Sequence, residues 1–286
     1  MITAVKPLRT KVLETALSTL VMLCAALGVG VVIFVIAVSL VKGSQSLNWE
    51  FFTRDSGNGT FGAFYQIVGS AILMLTTISL AAPVAISLGV VYFDLRSGSL
   101  KQSMRHFLHA LNATPSVILG IVGFLFFIKL LGWNKSWFAG GVILAIMILP
   151  VVTLSLINRM ETIPVHYLHS ARALGLNQSQ IISSVVLPYS WGGLLTGIVM
   201  GIARAAGETA PIMFTAVVFS GATWPTGIKD SPVLALPYHI FNLAQDIIGD
   251  NAIQAAWASA FVLISFVLFL SVLAIPLRAR SHEEAK

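Results

Sequence analysis

The chain alternates long apolar runs with short polar breaks. Six runs are long enough to cross a bilayer, which takes about 20 mostly apolar residues: 17–41, 67–92, 108–131, 138–157, 191–220 and 255–277. Each is continuously apolar rather than alternating, which predicts a helix and not a strand of a membrane barrel. The pattern therefore predicts an all-α integral membrane protein with six transmembrane helices. The expected organisation is an N-terminal segment of residues 1–16, a helical domain of 17–277 and a tail of 278–286. The first run is longer than the ~7–15 residues of a signal-peptide core, so it is expected to stay as a span.

The breaks are unequal. The first, on the side opposite the N-terminus, holds Ser56-Gly57-Asn58-Gly59-Thr60, a polar turn cluster. The break between the fourth and fifth runs, 158–190, is too polar to span and too patterned to lack structure. Pro164 suits the first turn of a helix, where its missing N–H is harmless. Val165, Leu168, Ala171 and Leu174 then recur every three residues, one apolar stripe on a short helix. Gly175 suits a left-handed helix end. Asn177 and Gln180 form a capping-box pattern for a second short helix, and Leu187-Pro188 is expected to break the chain before the fifth run. An apolar stripe on a short surface helix fits either a groove on a partner protein or the membrane interface. His166 and His169 are three apart, as are His106 and His109, but no third ligand lies near in sequence, so solvated loop histidines are expected and no metal.

Composition agrees with a membrane protein. Of 286 residues, 57% are hydrophobic and 10% charged, and the mean hydropathy is +0.89. Soluble domains carry roughly 25% charged residues, so a soluble enzyme is excluded. The lone Cys24 lies in an apolar run and cannot form an internal disulfide. The net charge of +6 does not indicate nucleic acid, because the basic residues fall between apolar runs and cover no single face. Their distribution sets orientation instead. With the N-terminus inside, 11 Lys and Arg residues are cytoplasmic and 5 are outside, which predicts both termini in the cytoplasm. Trp49, Trp133, Trp137 and Trp224 fall near outer span ends, where interfacial rings settle.

Two charges sit inside the fifth run. Arg204 lies roughly 20 Å into that span at 1.5 Å per residue, and an Arg at the core centre costs at least about 2.5–3.5 kcal/mol. It must face a partner or a wet cavity. Glu208, four residues on, is within pairing reach on the same helix face. A purely structural pair remains one reading. The other is functional, because an apolar pair would fill a structural site at less expense. Gly193, Gly197, Gly201 and Ala205 form a small-residue ridge for close helix packing. Pro211 is expected to kink the outer half. An Arg fork near the Thr209 and Thr215 hydroxyls fits an oxyanion.

The loop resembles the EAA loop of ABC importer permeases, whose pattern is Glu-Ala-Ala, three residues, Gly, nine residues, then Ile-x-Leu-Pro. Gly175 fixes the register, Val185, Leu187 and Pro188 take the Ile, Leu and Pro positions, and Ala171 takes the second Ala. His169 stands at the Glu position and Ser170 at the first Ala. Gly201 to Ala216, with Gly207-Glu208-Thr209-Ala210-Pro211 at its centre, resembles the signature of the phosphate-specific permeases of that family, the PstA type. Ala113-Thr114-Pro115-Ser116-Val117 resembles the segment that opens the family's third span.

The resemblance implies a type I, MetI-like permease in the cytoplasmic (inner) membrane of a bacterium or archaeon, forming half of a pore for inorganic phosphate. It implies a PstC-type partner permease, two PstB-type ATP-binding subunits and a PstS-type binding protein. The site it implies is Arg204, Glu208 and Thr209 along the substrate pathway, with His169, Ser170, Ala171, Gly175, Leu187 and Pro188 in the ATPase-coupling loop. No cofactor is expected. The chain has no GxxxxGK[ST] motif, so ATP hydrolysis is assigned to the separate subunit. The competing readings are a permease for another oxyanion (sulfate, molybdate or a phosphonate) and an ion-coupled secondary transporter.

Overall fold

The computed structural model describes residues 8–44, 46–57, 60–95, 97–221, 224–245 and 250–283. Lys6, Arg96 and Lys286 of the orientation count, and Asn58-Gly59 of the first break, lie outside them. The described chain is almost entirely helical. Among the described residues, five helices are long and apolar enough to span a membrane, and a bent pair brings the number to six if it counts as one crossing.

Helix α1, Leu8–Gly43, is followed by the short α2, Trp49–Thr53, and a ribbon of β1, Ser56–Gly57, with β2, Thr60–Phe61. Asn48 caps α2 by accepting from the Phe51 N–H at 2.8 Å. Helix α3, Phe64–Asp94, runs back across. Next come α4, Gly98–Ala113, and α5, Ser116–Gly123, which continues as a π-helix to Leu130. Helix α6 is Trp137–Met160 and α7 is Val165–Ala173. Helix α8, Gln178–Ile181, joins α9, Leu187–Ala206, through a π-turn at Ile182–Val186. After α10, Ala210–Thr215, and α11, Leu236–Gln245, the long α12, Asp250–Glu283, is the last described element.

Three sequence expectations are corrected. Run 108–131 is not one helix: α4 and α5 meet at an angle of 89°. Pro115 is the cause, since it disfavours helical geometry in the residue before it, and Thr114 sits at ψ 127°. Run 191–220 is not one helix either. Helix α9 ends at Ala206, the shorter α10 follows, and Val217 then makes a parallel bridge to Val233. Pro211 has no N–H to continue the ladder, so the expected kink is a full break. Conversely, Leu187-Pro188 does not break the chain. The π-turn widens the helix just before Pro188, and α8 runs on into α9 as one 29-residue span.

The core lies where α3, α6 and α9 meet. Helix α6 is the central one, 67% of its most apolar stretch being buried. The small-residue ridge of α9 packs on it: a Cβ at Gly197 would come within 2.8 Å of the Val152 Cα, so only glycine permits this approach. Gly193 meets Arg159 and Ser155, and Gly201 meets Ile148, the midpoint of α6. Helix α1 stands apart. Residues such as Leu20, Leu27 and Phe34 are exposed, and its attachment is to α12, through a cation–π contact of Lys42 with Trp257 and the buried Ser39 side.

Candidate functional site

The two breaks lie against each other. A Cβ on Gly120 of α5 would meet the Pro211 Cα at 2.9 Å and the Ala210 carbonyl at 3.2 Å. Interrupted helices are tolerated at membrane depth only where they are buried in protein or line a wet cavity. Arg204 stands at this junction, in the last turn of α9, where the helix dipole favours a cation. It lies about one turn past Gly201, which packs on Ile148 at the midpoint of α6.

Its main partner is Asn112, which the sequence reading missed. The Arg204 Nη1 donates to the Asn112 Oδ1 at 2.7 Å. Because the guanidinium has only donors, the amide's oxygen must face it. The Asn112 Nδ2 makes no hydrogen bond among the described residues and remains a free donor. The Arg204 Nε lies 4.0 Å from the Glu208 Oε1, and the two side chains are 33% and 20% exposed. Glu208 is thus a loose ion-pair partner. It sits beyond the helix end, its N–H bonded to the Ala205 carbonyl. Thr209 is half-buried at the entry to α10.

Thr215 does not join the site. It is fully buried and its hydroxyl donates to the Pro211 carbonyl at 2.8 Å. Met200, Ala203 and Gly207 are exposed beside Arg204, so this side of α9 is open in the single chain. A polar Asn in the apolar run 108–131 was the available signal for Asn112. Sequence alone did not link it to a residue 92 positions away.

The loop 158–190 is built largely as its residues dictate. Gly175 adopts φ +80°; its N–H bonds to Arg172 O at 2.9 Å and the Leu176 N–H to Ala171 O at 3.2 Å, the paired Schellman closure of α7. Asn177 and Gln180 form the reciprocal capping box of α8. The apolar stripe is split, however. Leu168 and Ala171 face the chain's own core, whereas Val165 and Leu174 are exposed, 62% and 80%. Leu176, Val185 and Leu187 also pack inward, which turns the helix and leaves only part of its stripe outside. His169 and Ser170 are exposed, Leu187 is half-buried and Pro188 is exposed. His106, His109 and His166 are exposed as well, and no three His, Cys, Asp or Glu side chains gather as a metal site among the described residues.

At the opposite end, the Lys135 Nζ donates to the Met213 and Val217 carbonyls at 2.8 and 3.0 Å, and its burial pushes its pKa down. On α11, His239 is buried beside Gln66, 3.5 Å from its Nδ1, and desolvation pushes it down to about 4.

Residues 81–281 match the family of the binding-protein-dependent transport system inner membrane component. The chain belongs to that family. The likeness of the loop and of the Gly207 to Pro211 string to transporter permeases is therefore a family likeness across most of the chain. The phosphate transport system permease protein PstA 2 of Mycobacterium bovis is 27% identical over 92% of this chain and 86% of its own length. The phosphate transport system permease protein PstA of Yersinia pestis is 29% identical over 85% of this chain and 82% of its own. In fold, the chain resembles an inward-facing structure of the MetNI methionine ABC transporter, with a TM-score of 0.58 at 16% identity, covering 76% of this chain and 96% of that one. As an inner membrane component of this family it is a pore-forming subunit, and the family name implies a binding protein that delivers the cargo.

Proposed function

We propose that the chain is one of two permease subunits of an ATP-driven importer of inorganic phosphate. The observation that carries the reading is Arg204, held by Asn112 where two interrupted membrane helices meet. Ends of discontinuous helices are where transporters bind charged cargo. The similarity to proteins named as phosphate permeases supplies the substrate.

In this reading the Arg204 fork, the Asn112 Nδ2 and the Thr209 hydroxyl present donors to the oxyanion. Glu208, 4.0 Å from Arg204, competes for the guanidinium and keeps the anion from being trapped. The loop 158–190 faces the cytoplasm, as do both termini, and its α7 docks on a PstB-type ATPase through Val165, His169, Ser170 and Leu174. Hydrolysis takes place there, not on this chain. A PstC-type permease completes the pore against the open side of α9, and a PstS-type protein delivers phosphate.

The test is Arg204→Gln in the complete transporter. Labelled phosphate uptake is expected to fall at least about a hundredfold, in line with loss of a charge-assisted site, while the subunits still co-purify. Loss of assembly in this variant, or uptake retained, contradicts the assignment.

A further inference from the structure

We propose that α4 is the lever by which the loop 158–190 controls Arg204; this rests on the reading of Arg204 as the anion site. The helix is held at two points. At its midpoint, the Arg105 Nη1 donates to both Glu161 carboxylate oxygens at 3.2 and 3.1 Å, and the Nη2 donates to the Asn158 Oδ1 at 2.5 Å. Glu161 also accepts from the Tyr92 hydroxyl at 2.5 Å. Lys101 and Arg105 lie over the Tyr92 ring, at 5.2 and 5.9 Å from its centroid. Glu161 caps the end of α6 and stands three residues before Pro164, which opens α7. The clamp therefore grips the root of the loop.

Seven residues on, about two helical turns, the same helix presents Asn112 to Arg204. Between the two clamps Leu108 packs against Tyr92 and Ile157, and it is the buried residue of an otherwise open helix. A continuous helix transmits displacement, because its backbone ladder does not stretch. The 89° corner at Thr114-Pro115 lets it move without carrying α5 along. Displacement of the loop root shifts Glu161, Glu161 shifts Arg105, and Arg105 moves Asn112. With Asn112 seated, the Arg204 fork is partly occupied and its orientation fixed. With Asn112 withdrawn, the anion loses the amide donor and the guanidinium loses its hold and is left to Glu208. Coupling needs an element with two arrangements that both sites bias, and α4 contacts both.

The experiment uses the complete transporter in proteoliposomes with its binding protein, reading phosphate carried per ATP hydrolysed. Arg105→Glu places two carboxylates together and is expected to lower that ratio at least about tenfold, within the usual range of allosteric coupling. ATP hydrolysis and subunit assembly persist in it. The exchange Arg105→Glu with Glu161→Arg restores the pair and is expected to recover most of the ratio, a rescue that a merely space-filling role does not give. Should Arg105→Glu fail to assemble, Arg105→Gln, which lacks the charge but can still donate to Asn158, is expected to lower the ratio in the same direction. An assembled variant with the wild-type ratio, or an exchange that recovers nothing, overturns the lever. A wild-type complex that ignores phosphate but carries another oxyanion overturns the substrate and not the lever, whose ratio is then read with that anion.

Discussion

Arg204 announces itself in the sequence because a charge inside an apolar run must have a reason. Asn112 does not, because a neutral amide in such a run is ordinary and its importance comes only from its contact with Arg204 of α9. Their contact makes a residue-level prediction. Asn112→Asp sets a fixed anion 2.7 Å from the guanidinium and competes with the cargo, so phosphate uptake is expected to fall at least about tenfold. Asn112→Gln, which keeps the amide, is expected to fall less in the same uptake assay. His239 gives a second prediction. Its pKa lies near 4 in the fold against an ordinary 6.5, so between these values the unfolded chain takes a proton that the folded chain refuses. The contribution to stability is complete above pH 6.5 and is lost as the pH falls toward 4. Thermal unfolding in detergent is expected to show this acid loss, and His239→Leu is expected to flatten it, since the buried Nε2 has no partner to forfeit.

At the level of elements, apolar periodicity and small-residue spacing were readable, and breaks were readable only as places. The ridge of Gly193, Gly197 and Gly201 pointed to close helix packing, and α6 is what it meets. Gly197→Leu drives a side chain into the Val152 backbone at 2.8 Å and is expected to abolish assembled protein, measured as folded protein recovered from membranes. Pro211 was readable as a kink and Pro115 as part of a segment that opens a span, yet both stand at full breaks between helices. The angle between helices depends on what each half packs against, and that is tertiary information. Pro188 shows the converse: the same residue type sits in a continuous helix because the π-turn at Ile182–Val186 absorbs it. In the loop, the caps at Gly175 and Asn177 are local and were legible. Which half of the apolar stripe faces outward was not, because it is decided by Leu176, Val185 and Leu187 seating on the core.

For the whole molecule, two of the surfaces left open by the single chain bear on the proposed function: the side of α9 around Met200 and Ala203, and the exposed ends of the α7 stripe. Leu174, 80% exposed, carries the second. Leu174→Asp is expected to remove the ATPase from the purified complex while leaving the permease folded, as read by co-purification. The central claim is that this fold moves phosphate on ATP. It is tested most directly by labelled phosphate uptake in cells lacking their own high-affinity system and supplied with the chain, its partner permease, ATPase and binding protein, with excess sulfate and molybdate as competitors. The account predicts uptake that requires the ATPase, ignores both competitors and disappears with Arg204→Gln. Uptake suppressed by sulfate or molybdate, or uptake that persists without the ATPase, contradicts it.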